Sequence, residues 1–412
     1  MPEKKPLVPR LRFPEFRNAG PWETHPISDF LTESRIEGSS GDAARKLTVK
    51  LWGRGVVEKK EYLPGSENTT YYKRRAGQFI YSKLDFVNGA FGIVPQELDG
   101  YESTIDLPAF DICPDLVATF LLEYVKRPDF FRKVGEQADG SRKAKRIQAS
   151  YFLSLHILVP QKAEQQKIAD CLSSLDEVIT LETKKLEALK AHKRGLMQQL
   201  FPREGETTPR LRFPEFRNAG PWEVKRLGEI VKITGGGTPS RNVADFWNGD
   251  IPWISSSDVS EESIWELRIT RYITPEAISK SATKIVPKNS ILLVSRVGVG
   301  KLAVSRIPVC TSQDFTNLTP IQDDTIFLAY YLSAWRDVLK SFCQGLAIHG
   351  FTKEDIENLT IPIPEATTGE QQKIADCLSS LDEVIELQTE KLEALKAHKR
   401  GLMQQLFPQE VG

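Results

Sequence analysis

The chain has 412 residues, 40% hydrophobic and 27% charged, and its 55 basic and 55 acidic side chains cancel to a net charge of zero. That length predicts two or three globular domains, and the charge balance excludes bulk electrostatics as a reason to bind nucleic acid, so any basic surface must be local. No apolar run approaches the ~20 residues of a membrane span, and the opening MPEKKPLVPR has no apolar signal-peptide core. Five scattered cysteines (Cys113, Cys171, Cys310, Cys343, Cys377) suggest neither a disulfide framework nor a zinc site. A reduced, cytoplasmic protein without metal is expected.

Residues 9–23 read PRLRFPEFRNAGPWE. Pro14 and Pro21 prevent a long helix here, so Phe13, Phe16 and Trp22 are read as an aromatic strap that packs across a helix end. After the strap comes a region, 24–163, with three basic clusters. Lys73, Arg74 and Arg75 follow Tyr71 and Tyr72. Arg127, Arg132 and Lys133 lie in a helix-like stretch with Phe130 and Phe131 as core. Arg142, Lys143, Lys145 and Arg146 follow Gly140 and Ser141 in a loop. Sequence-specific DNA binding needs cations for phosphates and forked donors for base edges. Charge runs are also what solvated faces look like, and composition alone does not separate the two.

Residues 164–202 read EQQKIADCLSSLDEVITLETKKLEALKAHKRGLMQQLFP. Ile168, Leu172, Leu175, Ile179, Leu186, Leu189, Leu196 and Leu200 recur at the 3–4 spacing of a coiled-coil seam. Pro202 ends the run. Such a helix is about 55 Å long at ~1.5 Å per residue. The polar linker 203–209 follows, and then the chain begins again.

Residues 209–223 repeat 9–23 letter for letter, with Phe213, Phe216 and Trp222 in the strap. Residues 370–408 repeat 164–202 with three changes: Thr180 becomes Glu386, Glu182 becomes Gln388 and Lys184 becomes Glu390. The second seam is Ile374, Leu378, Leu381, Ile385, Leu392, Leu395, Leu402 and Leu406. Residues 24–163 and 224–369 show no such identity. The expected organisation is therefore 1–163, strap and first variable domain; 164–202, first repeated helix; 203–223, linker and second strap; 224–369, second variable domain; 370–412, second repeated helix. A seam this long needs a partner, and the economical partner is the other copy in the same chain. The expected fold is mixed α+β, with two globular domains separated by an antiparallel pair of long helices. Glu182, Gln388, Lys193 and Lys399 are polar seam positions, read either as solvated or as setting register. The duplicated strap aromatics are also candidate anchors for a partner protein.

In the second variable domain Gly235, Gly236 and Gly237 form a loop that leads to Ser240, Arg241 and Asn242. Arg296 and Lys301 flank the Gly298–Gly300 turn. Gln344, His349 and Thr352 occupy the position of the first domain's basic loop. These are candidate DNA contacts. Ser255, Ser256 and Ser257 read as a structural turn, and Trp247, Trp253 and Trp265 as core. The GVGKL stretch is not a phosphate-binding loop, because Ser295 and Leu302 stand where such a loop needs glycine and a hydroxyl. Five histidines (His25, His156, His192, His349, His398) show no metal or triad spacing, and no catalytic constellation emerges.

RFPEF…GPWE before each variable domain, EQQKIADCLSSLD at the head of each helix, and GGGTPSRNVADFWNGDIPWISSSDV, ILLVSRVGVGKLAVS and FTKEDIENLTIPIPE in the second half together resemble the specificity subunits of type I restriction–modification systems. The resemblance covers nearly the whole chain. It implies two target-recognition domains that each read half of a split site in double-stranded DNA, and helices that act as a spacer. It further implies a non-catalytic chain docked by two methyltransferase subunits, with restriction/translocase subunits outside. S-adenosylmethionine, ATP and Mg are then expected on the partners and no cofactor on this chain. One departure stands: the first variable domain lacks a counterpart of GGGTPS, so its role as a reader rests on its position and on its ending, YFLSLHILVPQKAEQQKIAD. The alternative is a coiled-coil scaffold whose variable domains bind proteins.

Overall fold

The computed structural model describes residues 7–60, 66–137, 146–341 and 350–408. The candidates Arg142, Lys143, Lys145, Gln344 and His349 lie outside the described residues. The protein is mixed α+β and divides into two units, residues 1–183 with 391–412, and residues 184–390. Each long helix therefore contributes to both units.

Unit 1 runs through β1 (Glu23–Pro26), β2 (Leu31–Ser34), β3 (Ile36–Ser40), β4 (Leu47–Val49), β5 (Val56–Glu58), β6 (Thr70–Lys73), β7 (Phe79–Tyr81), β8 (Phe91–Ile93), β9 (Glu102–Ser103) and β10 (Ala109–Ile112). Then come α1 (Ala118–Val125), α2 (Pro128–Gln137), α3 (Ala149–Ser154), β11 (His156–Val159) and the first part of α4 (Lys162–Leu200). The main sheet is antiparallel with order β2-β10-β7-β8, and β3-β6-β9 and the β4-β5 hairpin stand beside it. Its core is aromatic: Tyr81 stacks on Phe110 with ring centroids 5.8 Å apart, and Phe79 on Phe152 at 5.6 Å. Each such fully buried ring contributes about 1.5–3 kcal/mol. Phe130 and Phe131 join this core, as expected.

Unit 2 holds β12 (Glu223–Arg226), α5 (Leu227–Ile230), β13 (Val231–Gly235), β14 (Ile251–Ile254), β15 (Tyr272–Ile273), α6 (Pro275–Ser279), β16 (Ile285–Val286), β17 (Ser290–Val294), β18 (Leu302–Ser305), β19 (Val309–Thr311) and β20 (Phe315–Pro320). It continues with α7 (Thr325–Ala334), α8 (Arg336–Ser341), α9 (Lys353–Asn358), β21 (Thr360–Ile363) and the first part of α10 (Glu370–Leu406). Its main sheet has the order β13-β20-β17-β18, the same path as in unit 1. β17 reads SILLV with every residue buried, the pattern of an interior strand. Strand β1 pairs with β11, Glu23 opposite Val159, and β12 pairs with β21, Glu223 opposite Ile363. The two variable domains, unlike in sequence, are thus the same fold, and the missing glycine segment does not set the first apart. What differs is the added layer. Unit 2 carries a second four-stranded sheet, β15-β14-β19-β16, where unit 1 has the three-stranded sheet and the hairpin.

The long helices pair antiparallel within each unit. In unit 1 Asp176 of α4 meets Lys399 of α10 at 2.6 Å and Glu182 meets Lys391 at 2.5 Å, so residue numbers rise on one helix as they fall on the other. In unit 2 Lys193 meets Asp382 at 2.5 Å. Asp176–Lys399 and Asp382–Lys193 are one contact made twice by the repeat. The seam leucines Leu172, Leu378 and Leu392 are buried, while Leu175, Ile179, Leu186, Leu189, Leu381, Ile385 and Leu395 are half-buried in a narrow two-helix seam. α4 begins at Lys162, two residues before the repeated motif.

Candidate nucleic-acid interface and helix clamp

The strap is tied to the helix head by the residues that open the repeated motif. Arg12 donates from Nε and Nη2 to the two Glu164 oxygens, both at 2.7 Å, and from Nη1 to the carbonyls of Ala19 (2.6 Å) and Gly20 (3.0 Å). Arg212 makes the same four bonds to Glu370, Ala219 and Gly220. Planar bidentate pairing of this kind fixes orientation as well as distance. Gln165 accepts from the Val117 N–H at 2.9 Å and donates to the Pro160 carbonyl at 2.9 Å, and Gln371 treats the Asp324 N–H and Pro364 carbonyl alike. The Leu11 N–H reaches the Gln405 carbonyl at 3.0 Å, and Leu211 reaches Gln199 at 2.9 Å.

The expected packing of the strap across a helix end is therefore present, but its tryptophans are not available to a partner. Trp22 and Trp222 are buried, Trp22 with its ring 5.8 Å from Phe120 and 6.0 Å from Phe407. Rings enclosed in the core cannot anchor a second protein, which corrects the reading of these two as interface residues. Phe13, Phe16, Phe213 and Phe216 stay half-exposed, with Lys167 over the Phe13 ring and Lys373 over Phe213.

The seam lysines are paired rather than solvated. Lys399 meets Glu123 of α1 at 2.9 Å as well as Asp176, and Lys126 closes the group on Glu123 at 2.8 Å. Burial works to raise the Glu123 pKa, but the charges of Lys126 and Lys399 outweigh it and hold the carboxyl below its usual range. Burial likewise opposes the charge on Lys399, and Glu123 and Asp176 overcome it, so its pKa is raised. In unit 2 the third group is Tyr330 of α7. Its hydroxyl donates to Asp382 at 2.6 Å and accepts from Trp265 Nε1 at 3.2 Å, while Lys193 sits 4.9 Å from its ring centroid.

At the far edge of each main sheet the loops gather in one arrangement. In unit 1 the Lys83 N–H donates to the Asp106 carbonyl at 2.9 Å, and the Ile147 N–H donates to the Lys83 carbonyl at 3.1 Å. In unit 2 Ser295 donates to Asp314 at 2.7 Å, and Phe351 donates to Ser295 at 3.1 Å. These bonds bring three candidate segments of unit 2 to one place: the 295–301 turn with exposed Arg296, the chain entering at 350–352, and, through the Gly237 N–H to Thr311 carbonyl bond at 2.8 Å, the glycine loop leading to Ser240, Arg241 and Asn242. Gly236 has to be glycine there, since a Cβ would lie 2.0 Å from the Ser312 carbonyl. Arg241 and Asn242 are exposed, and the Ser240 carbonyl accepts from Trp247 Nε1. Lys301 is turned to Glu261 at 3.5 Å. Thr352 caps α9 by accepting from the Asp355 N–H.

In unit 1 Arg146 is exposed, 3.7 Å from Asp106. Lys73 and Arg75 are exposed too, but Arg74 between them is not a surface cation. It is 2% exposed and spends Nε on Ser103 (2.7 Å) and Nη1 on the Ser34 carbonyl (2.8 Å), and burial pushes its pKa down to about 10. Arg74 is a strut inside the fold and not a DNA contact. Two cations that sequence reading missed lie nearby: Arg35, which is exposed and bonded to Glu33 at 2.9 Å, and Lys83, which is buried and whose pKa burial lowers. Neither stands in a basic run, so only the strand pairing locates them. Among the described residues no group of three or more His, Cys, Asp or Glu side chains is placed to hold a metal ion, and no helix is long and apolar enough to cross a membrane.

Two unlike domains on one repeated helix frame, joined through EQQ and RFPEF motifs, are what a family comparison has to account for. The family described as "Type I restriction modification DNA specificity domain" matches residues 130–191 and 220–397, more than half of the chain. The chain belongs to that family. Among relatives, the type I restriction enzyme MjaIX specificity subunit of Methanocaldococcus jannaschii is 35% identical over 179 residues, 42% of this chain and 41% of that one. The matched stretch thus spans less than half of that relative's length. The HindI specificity subunit of Haemophilus influenzae is 22% identical over 376 residues, 76% of this chain and 80% of that one. In fold, the type I restriction–modification S subunit from M. genitalium matches with TM-score 0.59 at 15% identity, covering 98% of this chain and 100% of that chain. A chain from a study of complex assembly and conformational transition of the type I R-M system gives 0.58 at 16% identity, covering 95% and 98%.

Proposed function

We propose that this chain chooses the DNA sequence for a type I restriction–modification assembly and leaves the chemistry to partner subunits. Each unit reads one half of a split site in double-stranded DNA through its loop cluster, the antiparallel helices set the gap, and the two copies of strap and helix dock two methyltransferase subunits. S-adenosylmethionine, ATP and Mg then belong to those methyltransferase subunits and to restriction/translocase subunits, not to this chain.

One observation carries the reading. The same loop scaffold is built twice, with the same backbone bonds at Lys83 and Ser295, and carries different side chains each time. Two readers with one frame and different contents are what a two-part asymmetric site requires. Exposed Lys73, Arg75 and Arg146 supply phosphate contacts in unit 1, and Arg241, Asn242 and Arg296 supply cationic and forked donors in unit 2. The test is methylome sequencing of cells with and without the gene. The expected result is one bipartite methylated motif that disappears with the gene. An unchanged methylome, with partner subunits present and expressed, overturns the reading and leaves the protein-binding scaffold.

A further inference from the structure

The β4–β5 hairpin turns at Leu51–Gly55 and holds a tryptophan where neither local nor core physics favours one. Trp52 has φ 61° and Gly53 has φ 65°, two successive residues in the left-handed region. Such turns favour Asn-Gly, and a bulky side chain at positive φ is a strained choice. Trp52 gains no compensating burial, since it is 61% exposed. Strain that the fold neither needs nor relieves is kept at functional positions.

The turn is also fixed in place. The Trp52 N–H donates to the Asn88 carbonyl at 2.9 Å, and the Gly53 N–H donates to the Gly89 carbonyl at 2.7 Å. Asn88 and Gly89 close the β7–β8 loop, whose other end is the Lys83 junction of the unit 1 loop cluster. Trp52 therefore rides on the loops already read as the DNA-facing surface. Its neighbours Lys50 and Arg54 are exposed and form no ion pair with a described residue. The other six tryptophans are occupied. Trp22, Trp222, Trp253 and Trp335 are buried, and Trp247 and Trp265 are half-buried with their N–H groups bonded to the Ser240 carbonyl and Tyr330 hydroxyl.

We propose that Trp52 is a DNA-contacting wedge, its ring stacking on or between bases of the half-site read by unit 1 while Lys50 and Arg54 hold the flanking phosphates. Unpaired cations beside the ring favour a polyanion over a protein surface as its occupant. Proteins that distort duplexes insert apolar side chains at base steps in this way, with cations alongside. Among the described residues unit 2 has no counterpart of the β4–β5 hairpin, so the wedge acts on one half-site only. The inference rests on the DNA-reading function proposed above.

The test uses this full chain assembled with its methyltransferase subunits and a duplex carrying the motif mapped by methylome sequencing. Adding the duplex should change tryptophan emission in the wild type, and Trp52→Phe should diminish that change, leaving what Trp247 beside the Ser240 loop contributes, while keeping affinity within about threefold. Trp52→Ala should weaken binding about tenfold. Trp52→Asn, which suits the left-handed turn, should weaken it as much, because the ring is lost although the backbone is kept. Full affinity in Trp52→Ala, full affinity in Trp52→Asn, or an emission change undiminished in Trp52→Phe overturns the proposal. So does loss of the methyltransferase subunits from the Trp52→Ala assembly, which marks the ring as a protein anchor. Absence of duplex binding by the wild-type assembly overturns the DNA-reading function itself.

Discussion

Arg12→Ala isolates the clamp between strap and helix. The Arg12 and Glu164 side chains are 7% and 1% exposed, and their bidentate contact is 2.7 Å long. Removing the guanidinium leaves a buried carboxylate whose one remaining side-chain donor is Trp22 Nε1, at 3.4 Å, and it strips the donor from the Ala19 and Gly20 carbonyls. Breaking a buried pair on one side costs about 3–5 kcal/mol, most of it the uncompensated charge. The chain has two units, so a single unfolding free energy is not well defined. Hydrogen exchange of peptides from the strap and the head of α4 is the suitable assay, because it reports local opening. Arg12→Ala should speed exchange there by about 100- to 4,000-fold, each ~1.4 kcal/mol being a factor of ten. Arg212→Ala should do the same to 209–223 and the head of α10, and neither should affect the other strap. A double change of Arg12 and Glu164 to methionine should lie closer to wild type than either single change, because no unpaired charge remains. Acceleration below about fivefold in both single variants would refute the claim that this contact holds the strap.

The Lys399 group gives a pH signature. Its raised lysine contributes fully below the unfolded value near ~10.4 and loses its contribution as pH rises through the folded value. The depressed Glu123 contributes above the unfolded value near ~4.3 and loses that as pH falls through its folded value. Exchange protection of α1 should therefore fall on both flanks, and Lys399→Met should flatten the alkaline flank; an unchanged alkaline flank in that variant contradicts the assignment. Neutralising Arg146 or Arg296 should weaken DNA binding and reduce its salt dependence, since removing one phosphate-bound cation lowers the slope by about one. Unaltered affinity and slope would take that residue off the DNA. Four residues added to α4 lengthen it by about 6 Å, near two base pairs of rise, and return its face after slightly more than one turn. The methylome of that variant should keep both half-sites with a longer gap, and altered half-site letters with an unchanged gap would refute the ruler.

What the sequence disclosed follows from which interactions are local. The 3–4 spacing and the Pro202 and Pro408 stops are properties of one segment, so α4 was legible within two residues of each end and α10 from Glu370 onward, although the expected span to 412 runs past its end at Leu406. The common sheet was not. FIY in β7 and SILLV in β17 share only burial, and their partners are distant in sequence: Ile80 lies opposite Ala109 and Ile291 opposite Leu318. The cation run at 73–75 fails for a related reason. Arg74 lies one residue past β6, and only its bonds to Ser103 and to the Ser34 carbonyl, both distant in sequence, decide that it is the inward one. Trp22 misled because an aromatic flanked by prolines looks alike whether it seals a core or greets a partner.

The ties between frame and reader explain how two domains can diverge on one scaffold. Gln165 and Gln371 grip main-chain atoms of the segment leading into α1 or α7, at Val117 and Asp324, and of the strand exit at Pro160 and Pro364. A carbonyl, and outside proline a backbone N–H, is present whatever side chain is there, so most of this grip leaves the sequence free; the one side chain it also takes is Asp323, which accepts from Gln371 at 2.7 Å. Only one reader side chain enters each lysine–aspartate pair, and there the chemistry already differs. Glu123 meets Lys399 as an anion, whereas Tyr330 meets Asp382 as a hydroxyl donor and Lys193 as a ring. The frame requires of a variable domain a strand to pair, a backbone to hold and one polar group of either kind, and it leaves the loop residues free to differ.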